Sequence, residues 1–132
     1  TRADRFLVCT TRGGRRVALP LAEVTRLERR SRADIETLGR RTVVRRGDGF
    51  APVVDADAIL GNATGPAADP ARLVVLGSEG AAVAVEIGGI IDVLEAETAI
   101  ERDAMHPGRP GTVALGGRAA EVIDRAATAL PA

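Results

Sequence analysis

The run VALPL at residues 17–21 returns as VAVEI at 83–87, and the same offset of 66 sets FLVC at 6–9 against RLVV at 72–75. Farther along, TVV at 42–44 matches TVA at 112–114, and PVVD at 52–55 matches EVID at 121–124, the last pair each ending in an aspartate before an alanine-rich turn. A chain that repeats its strand-like segments in order is a diverged tandem repeat, so the fold of one half constrains the fold of the other. Between the copies, residues 61–71 (GNATGPAADPA) lack apolar period and are rich in Gly, Pro, Ala and Asn, which marks a connector. With 132 residues in all, the chain is one compact domain or two small units sharing a core. The expected division is a single domain with a first subdomain over about 1–60 and a second over about 72–132, connected by 61–71.

Within the first copy, residues 5–10 (RFLVCT) and 15–21 (RRVALPL) predict strands, with Arg12-Gly13-Gly14 as the turn between them. AEVTRLERR continues with apolar residues at 24 and 27, and Ser31-Arg-Ala-Asp-Ile-Glu then predicts a capped helical turn. Residues 41–46 and 50–54 predict a second hairpin around Gly47-Asp48-Gly49, after which Asp55 stands as N-cap of a helical turn over ADAIL. About five short strands per half suffice for a small barrel with few open edges. The expected fold is therefore all-β with short helical turns: two five-stranded small barrels side by side. VALPL and AAVAVEI are nearly continuous in apolar residues, the mark of strands covered on both faces, which places core between the barrels.

The core is aliphatic, because Phe6 and Phe50 are the only aromatics in a chain that is 45% apolar. No stretch reaches the roughly 18 apolar residues of a membrane span, and no signal peptide is recognisable, so a cytoplasmic protein without membrane insertion is expected. Cys9 is the sole cysteine; it excludes an internal disulfide and reads as a core thiol. The formal charge of zero conceals an asymmetry: residues 1–60 hold 13 Arg and 8 acids (+5), residues 61–132 hold 5 Arg and 10 acids (−5). Complementary potentials of this kind suit two copies, or two relatives, meeting basic half to acidic half; two solvated faces are the plainer alternative.

Catalysis has little to rest on. The one histidine, His106, sits in the Pro/Gly loop MHPGRPG, and Cys9 is predicted inside a strand with no base beside it. Asp55 and Asp57 offer two oxygens to a metal, but Asp55 is better explained as a helix cap. The glycine pairs at 13–14, 88–89 and 116–117 fall between strands, where they supply turns and not a phosphate cradle, so no cofactor is expected. Arg46-Gly47-Asp48 spells an adhesion tripeptide, which the hairpin accounts for. Eight arginines between 26 and 46 raise nucleic-acid binding by a small barrel, yet Glu28, Asp34 and Glu36 interrupt them and the stacking aromatics are missing. The residues thus describe a binding module without chemistry of its own.

The order of motifs resembles the CheW-like domain family of bacterial chemotaxis over nearly the whole chain. RFLVCTTRGGRRVALPLAEVTRLERR resembles the family's first hairpin and following strand, and VVRRGDGFAPVVDADAILG its Arg-Gly hairpin leading through Pro-apolar-Val-Asp into a short helix. RLVVLGSEGAAVAVEIGGIIDVLEAE resembles the start of the second subdomain and RPGTVALGGRAAEVIDRAATAL its end. The resemblance implies a non-catalytic protein–protein interaction domain in signal transduction through a two-component system, without cofactor. Its implied partners are a CheW-type adaptor or a CheA-type kinase, and chemoreceptor tips in membrane-bound arrays. Within the family, VTRLERRSRADIETLGRRTVVRR looks closer to the carboxy-terminal regulatory domain of the histidine kinase CheA than to the free-standing adaptor, so the enzyme activity would lie in domains outside this sequence.

By the same resemblance the receptor tip lies in the groove between the barrels, which makes Val24, Arg26, Arg45 and Arg46 candidate partner contacts. Plain core is the competing reading for Val24, and a solvated hairpin residue for Arg46. Between Arg46-Gly47 and Pro52 there is one residue more than the family's usual spacing, so its hairpin arginine falls on either Arg45 or Arg46. Ala56 stands where the family often has leucine.

Overall fold

The computed structural model describes residues 4–78, 80–101 and 111–128. Among them the order is β1 (Arg5–Thr10), β2 (Arg16–Pro20), β3 (Val24–Arg30), β4 (Ile35–Leu38), β5 (Arg41–Arg46), β6 (Gly49–Asp55), α1 (Ala56–Ile59), β7 (Ala71–Leu76), β8 (Val83–Ile87), β9 (Gly89–Glu95), β10 (Thr112–Leu115) and β11 (Arg118–Val122). Short 3-10 turns occupy Leu21–Glu23, Arg32–Asp34 and Ala126–Thr128. The expected strands and capped turns are present. Ser31 Oγ accepts from the Ala33 N–H at 3.3 Å, and Asp55 Oδ2 from the Ala58 N–H at 3.3 Å, so both caps work as the side chains predict.

The hairpin turn at Gly47-Asp48-Gly49 resolves to two residues, because Arg46 pairs with Gly49 and Arg45 with Phe50. Gly47 occupies the first central position with φ 56°, as a II′-type connection requires. This register puts Val44 toward the interior, with Arg46 next along that face, and Arg45 on the opposite face beside Phe50.

Two sheets result. One has five strands in the order β10-β11-β2-β1-β9; the other has six, in the order β3-β7-β8-β6-β5-β4. The all-β architecture is as expected, with one strand more than five in the second sheet. Each sheet takes strands from both halves of the sequence. The β1–β2 hairpin joins β9, β10 and β11, and reciprocally the β7–β8 hairpin joins β3 to β6.

The seams of this exchange obey the repeat. β11 runs parallel to β2 (Glu121 opposite Val17, Val122 opposite Ala18), just as β6 runs parallel to β8 (Val53 opposite Ala84, Val54 opposite Val85). β1 is antiparallel to β9 as β7 is to β3. β2 and β8 sit at the centres of their sheets, and β8 is buried at every position, as the near-continuous apolar runs foretold.

Three apolar clusters follow. Phe6, Val8, Ala18, Val113, Leu115, Ala120 and Val122 fill the five-stranded sheet, while Val44, Ala51, Val53, Ala71, Leu73, Val75 and Ala84 fill the six-stranded one. A third cluster, with Leu7, Cys9, Val17 and Leu19 facing Val74, Leu76, Val85 and Ile87, lies between the two sheets. Alternation along each strand thus buries one face inside its own sheet and the other against the neighbour.

Candidate functional site

β3 is an edge strand, and its solvent side carries the charge. Arg26 has 68% of its side chain exposed, and β5 brings Arg45 and Arg46 alongside. Together with Glu28 and Arg30 these line a shallow concavity of about 550 Å³ that ends at Gly47. Three of the four residues singled out from the sequence therefore share one surface. Val24, at the first position of β3, instead packs half-buried against the inter-sheet cluster and is not among the lining residues.

Within the concavity the arginines are not equivalent. Arg46 donates to Glu28 Oε2 through a short charge-assisted hydrogen bond, and Arg30 Nη1 reaches Glu28 Oε1 at 3.3 Å and the Arg45 carbonyl at 3.1 Å. Burial pushes the Glu28 carboxyl up, but the hydrogen bonds from Arg46 and Arg30 outweigh it and hold the group below the usual carboxylate range. Glu28 is thus a fixed anion that orients two cations. Arg45 stacks over the Phe50 ring, 4.9 Å from its centroid, and Arg26 lies 3.9 Å from Glu28, so these two keep guanidinium faces toward solvent.

A second concavity of about 340 Å³ opens between the sheets, lined by the apolar Leu27, Leu73, Ile87 and Ile90 together with Glu28, Arg29 and Arg72. Leu27 is 52% exposed and Ile90 47%, alongside Leu38, Phe50 and Ile91 as the exposed large apolar side chains among the described residues. Sequence reasoning passed over both, because on an edge strand an apolar residue predicts burial unless the neighbouring sheet is known.

It also passed over a buried charge cluster. Arg12, in the β1–β2 turn, donates from Nε to Asp55 Oδ1 at 2.9 Å and lies 3.7 Å from Glu86 Oε2. Glu86 is 4% exposed and takes Arg32 in fork geometry, at 2.6 and 3.2 Å. The carboxylate raises the already high pKa of Arg32 through that hydrogen bond, so the cation is permanent. Asp57, fully buried, accepts the Gly13 N–H at 2.8 Å. Glu86 stands in an apolar run, and Arg12 is one of eighteen arginines; only the fold says that they meet.

Cys9 is buried in the inter-sheet cluster, and burial pushes its thiol up to about 12, the behaviour of a packing residue. His106 and its loop lie outside the described residues. Among the described residues no helix is long and apolar enough to cross a membrane.

The exchange of hairpins also redistributes charge. Arg5, Arg15 and Arg16 go with the five-stranded sheet and Arg12 is paired with Asp55 and Glu86, whereas the arginines from 26 to 46 stay together on β3 to β5 and the turns between them. The concentrated positive surface is therefore the Arg26–Arg46 concavity and its surroundings.

Neither the protein-family models nor the curated proteins contain a match to this chain. Among solved structures it is similar to the scaffolding protein TtCheW from Thermoanaerobacter tengcongensis, with a TM-score of 0.75 at 11% sequence identity, over 92% of this chain and 88% of that one. At that identity the likeness is one of backbone and not of side chains. Two exchanged small β-sheets around a shared aliphatic core, matched over nearly their full length, give this chain the CheW-like fold.

Proposed function

We propose that this chain is a non-catalytic protein–protein interaction domain of chemotaxis-type signalling. In the finer reading it is the regulatory domain of a CheA-type histidine kinase, which couples receptor state to kinase activity by binding a CheW-type adaptor and receptor tips in the cytoplasm. The observation that carries the proposal is the likeness of fold to a scaffolding protein over 92% of the chain. The exposed pair Leu27 and Ile90 beside the Arg26, Arg45 and Arg46 surface gives it an apolar centre with a cationic rim, the anatomy of a reversible protein interface. Arg26 and Arg45 are the contacts of choice, since their guanidinium groups keep faces open to solvent. Arg46 serves through Glu28, which it holds in place. Val24 supports the strand from beneath.

Calorimetric titration of the chain with a CheW-type adaptor, with the CheA kinase and with a receptor-tip fragment tests this. Binding to the adaptor and the tip, weakened by Arg26→Ala and Arg45→Ala and by added salt, is the expected result. Absence of binding to all three overturns the proposal, and affinity indifferent to ionic strength removes its electrostatic part.

The stand-alone adaptor is the second reading, favoured by the fact that the similar structure is itself a scaffolding protein. The two part company on the reading frame upstream of Thr1. A kinase catalytic domain encoded there supports the first reading, and its absence the second.

A further inference from the structure

The β1–β2 turn belongs to the five-stranded sheet but is inserted into the six-stranded one. Its Arg12 side chain meets Asp55 at the end of β6 and Glu86 on β8, and its Gly13 N–H meets Asp57 in α1. Two glycines form the walls of the socket. A Cβ on Gly65, in the connector, would stand 2.2 Å from the Arg12 carbonyl oxygen, and one on Gly88 would stand 2.5 Å from that of Thr11. Gly88 is also tied to the end of β1 by its N–H, which donates to Thr10 O at 2.7 Å. These approaches are backbone to backbone, so neither wall can yield by a side-chain rotation.

Gly88 is the residue at which the chain passes from β8 in one sheet to β9 in the other. Ile87 precedes it and Ile90 follows two residues later, and both line the concavity between the sheets. Whatever holds Gly88 therefore sets the separation of these two side chains. The repeat supplies a counterpart at the other seam, where Arg125, after β11, donates from Nε and Nη2 to the Ala81 carbonyl in the β7–β8 turn at 3.1 and 2.9 Å. That contact is a charge on a neutral carbonyl; the first is built from Arg12, Arg32 and three carboxylates.

We infer that the β1–β2 turn is a latch, with Arg12 and Asp57 as its positioning residues, that fixes the angle between the two sheets and thereby the shape of the concavity between Leu27 and Ile90. It is a latch and not a weld because it closes at a cost. Asp57 Oδ1 is buried with no hydrogen-bond partner among the described residues, a position that is unfavourable for a carboxylate oxygen. Loosening Arg12 or Asp57 frees Gly88, lets Ile90 on β9 move relative to Leu27 and Ile87 in the other sheet, and changes the concavity at a distance from either residue. The inference concerns the free chain, so it stands or falls separately from the identity of the partner.

Paired spin labels on the full chain, at Glu36→Cys on β4 and Glu95→Cys on β9, read the inter-sheet distance by pulsed electron resonance. Cys9 is buried and does not compete for the label. A single narrow distribution is expected for the parent, and a broadened or displaced one for Arg12→Gln and for Asp57→Ala, with matching shifts of the Ile87 and Ile90 methyl resonances. Asp57→Asn still accepts from the Gly13 N–H and restores the parent distribution. Arg125→Gln acts at the opposite seam and leaves the two methyl resonances in place. Should Arg12→Gln or Asp57→Ala fail to fold, Arg12→Lys, which keeps the charge but not the fixed direction of the Nε–H, is measured instead and is expected to broaden the distribution less. Distances and methyl resonances that stay at parent values in the folded variants, even with a lowered Tm, overturn the latch and leave a merely stabilising contact.

Discussion

Glu28 is the residue on which the cationic surface depends. Its carboxyl is held below the ordinary range by Arg46 and Arg30 against the opposing pull of burial, so its stabilising contribution is complete above the usual glutamate pKa and is lost as pH falls through the lowered folded value. Glu28→Gln removes that contribution at neutral pH. Urea unfolding across a pH series is expected to show the parent more stable than the variant near neutrality, with the difference closing on the acidic side; a gap independent of pH would refute the assignment. Arg45 is a different case, an exposed cation over an exposed ring, and Arg45→Ala is expected to cost only about 0.5–1 kcal/mol in the same assay. These two arginines, adjacent in sequence, face opposite sides of β5. The two-residue Gly47-Asp48 turn settles the register, and strand alternation does the rest.

The caps show how far elements could be read locally. Asp55 ends β6 and Asp124 follows β11 by two residues, and each accepts from the N–H three residues on, at 3.3 and 2.9 Å, which is the repeat of PVVD and EVID made physical. Asp124→Ala is expected to cost about 1 kcal/mol as the loss of a cap. Asp55→Ala should cost clearly more, because Asp55 also pairs with the half-buried Arg12; equal losses by thermal unfolding would mean that the ion pair contributes nothing. Nothing in the Gly, Pro and Ala content of residues 61–71 showed that Gly65 would pack against the β1–β2 turn. Gly65→Ala is expected to destabilise the chain by about 1–3 kcal/mol, since the added carbon meets the Arg12 carbonyl and one side must shift. The same change at Gly14, φ 88° but with open space around it, tests the difference between a backbone preference and a clash.

At the scale of the molecule the exchanged hairpins make the two sheets one cooperative unit. Neither sequence half contains the partners of its own first hairpin, because β1 pairs with β9 and β2 with β11, while β7 pairs with β3 and β8 with β6. Chains cut in the connector, covering 1–60 and 71–132, are therefore expected to be unfolded apart and to regain sheet structure when mixed, as followed by circular dichroism and amide dispersion. A half that folds alone would contradict the topology. The strands, turns, caps, aliphatic core and tandem repeat were fixed by the sequence itself, because alternation, glycine geometry and capping hydrogen bonds act over a few residues. Which hairpin joins which sheet, where Glu86 finds Arg12 and Arg32, and why Leu27 and Ile90 stay exposed were decided only in three dimensions. Backbone pairing between distant strands leaves no local signal, and the worth of a buried charge or an exposed leucine depends on what the rest of the chain places beside it.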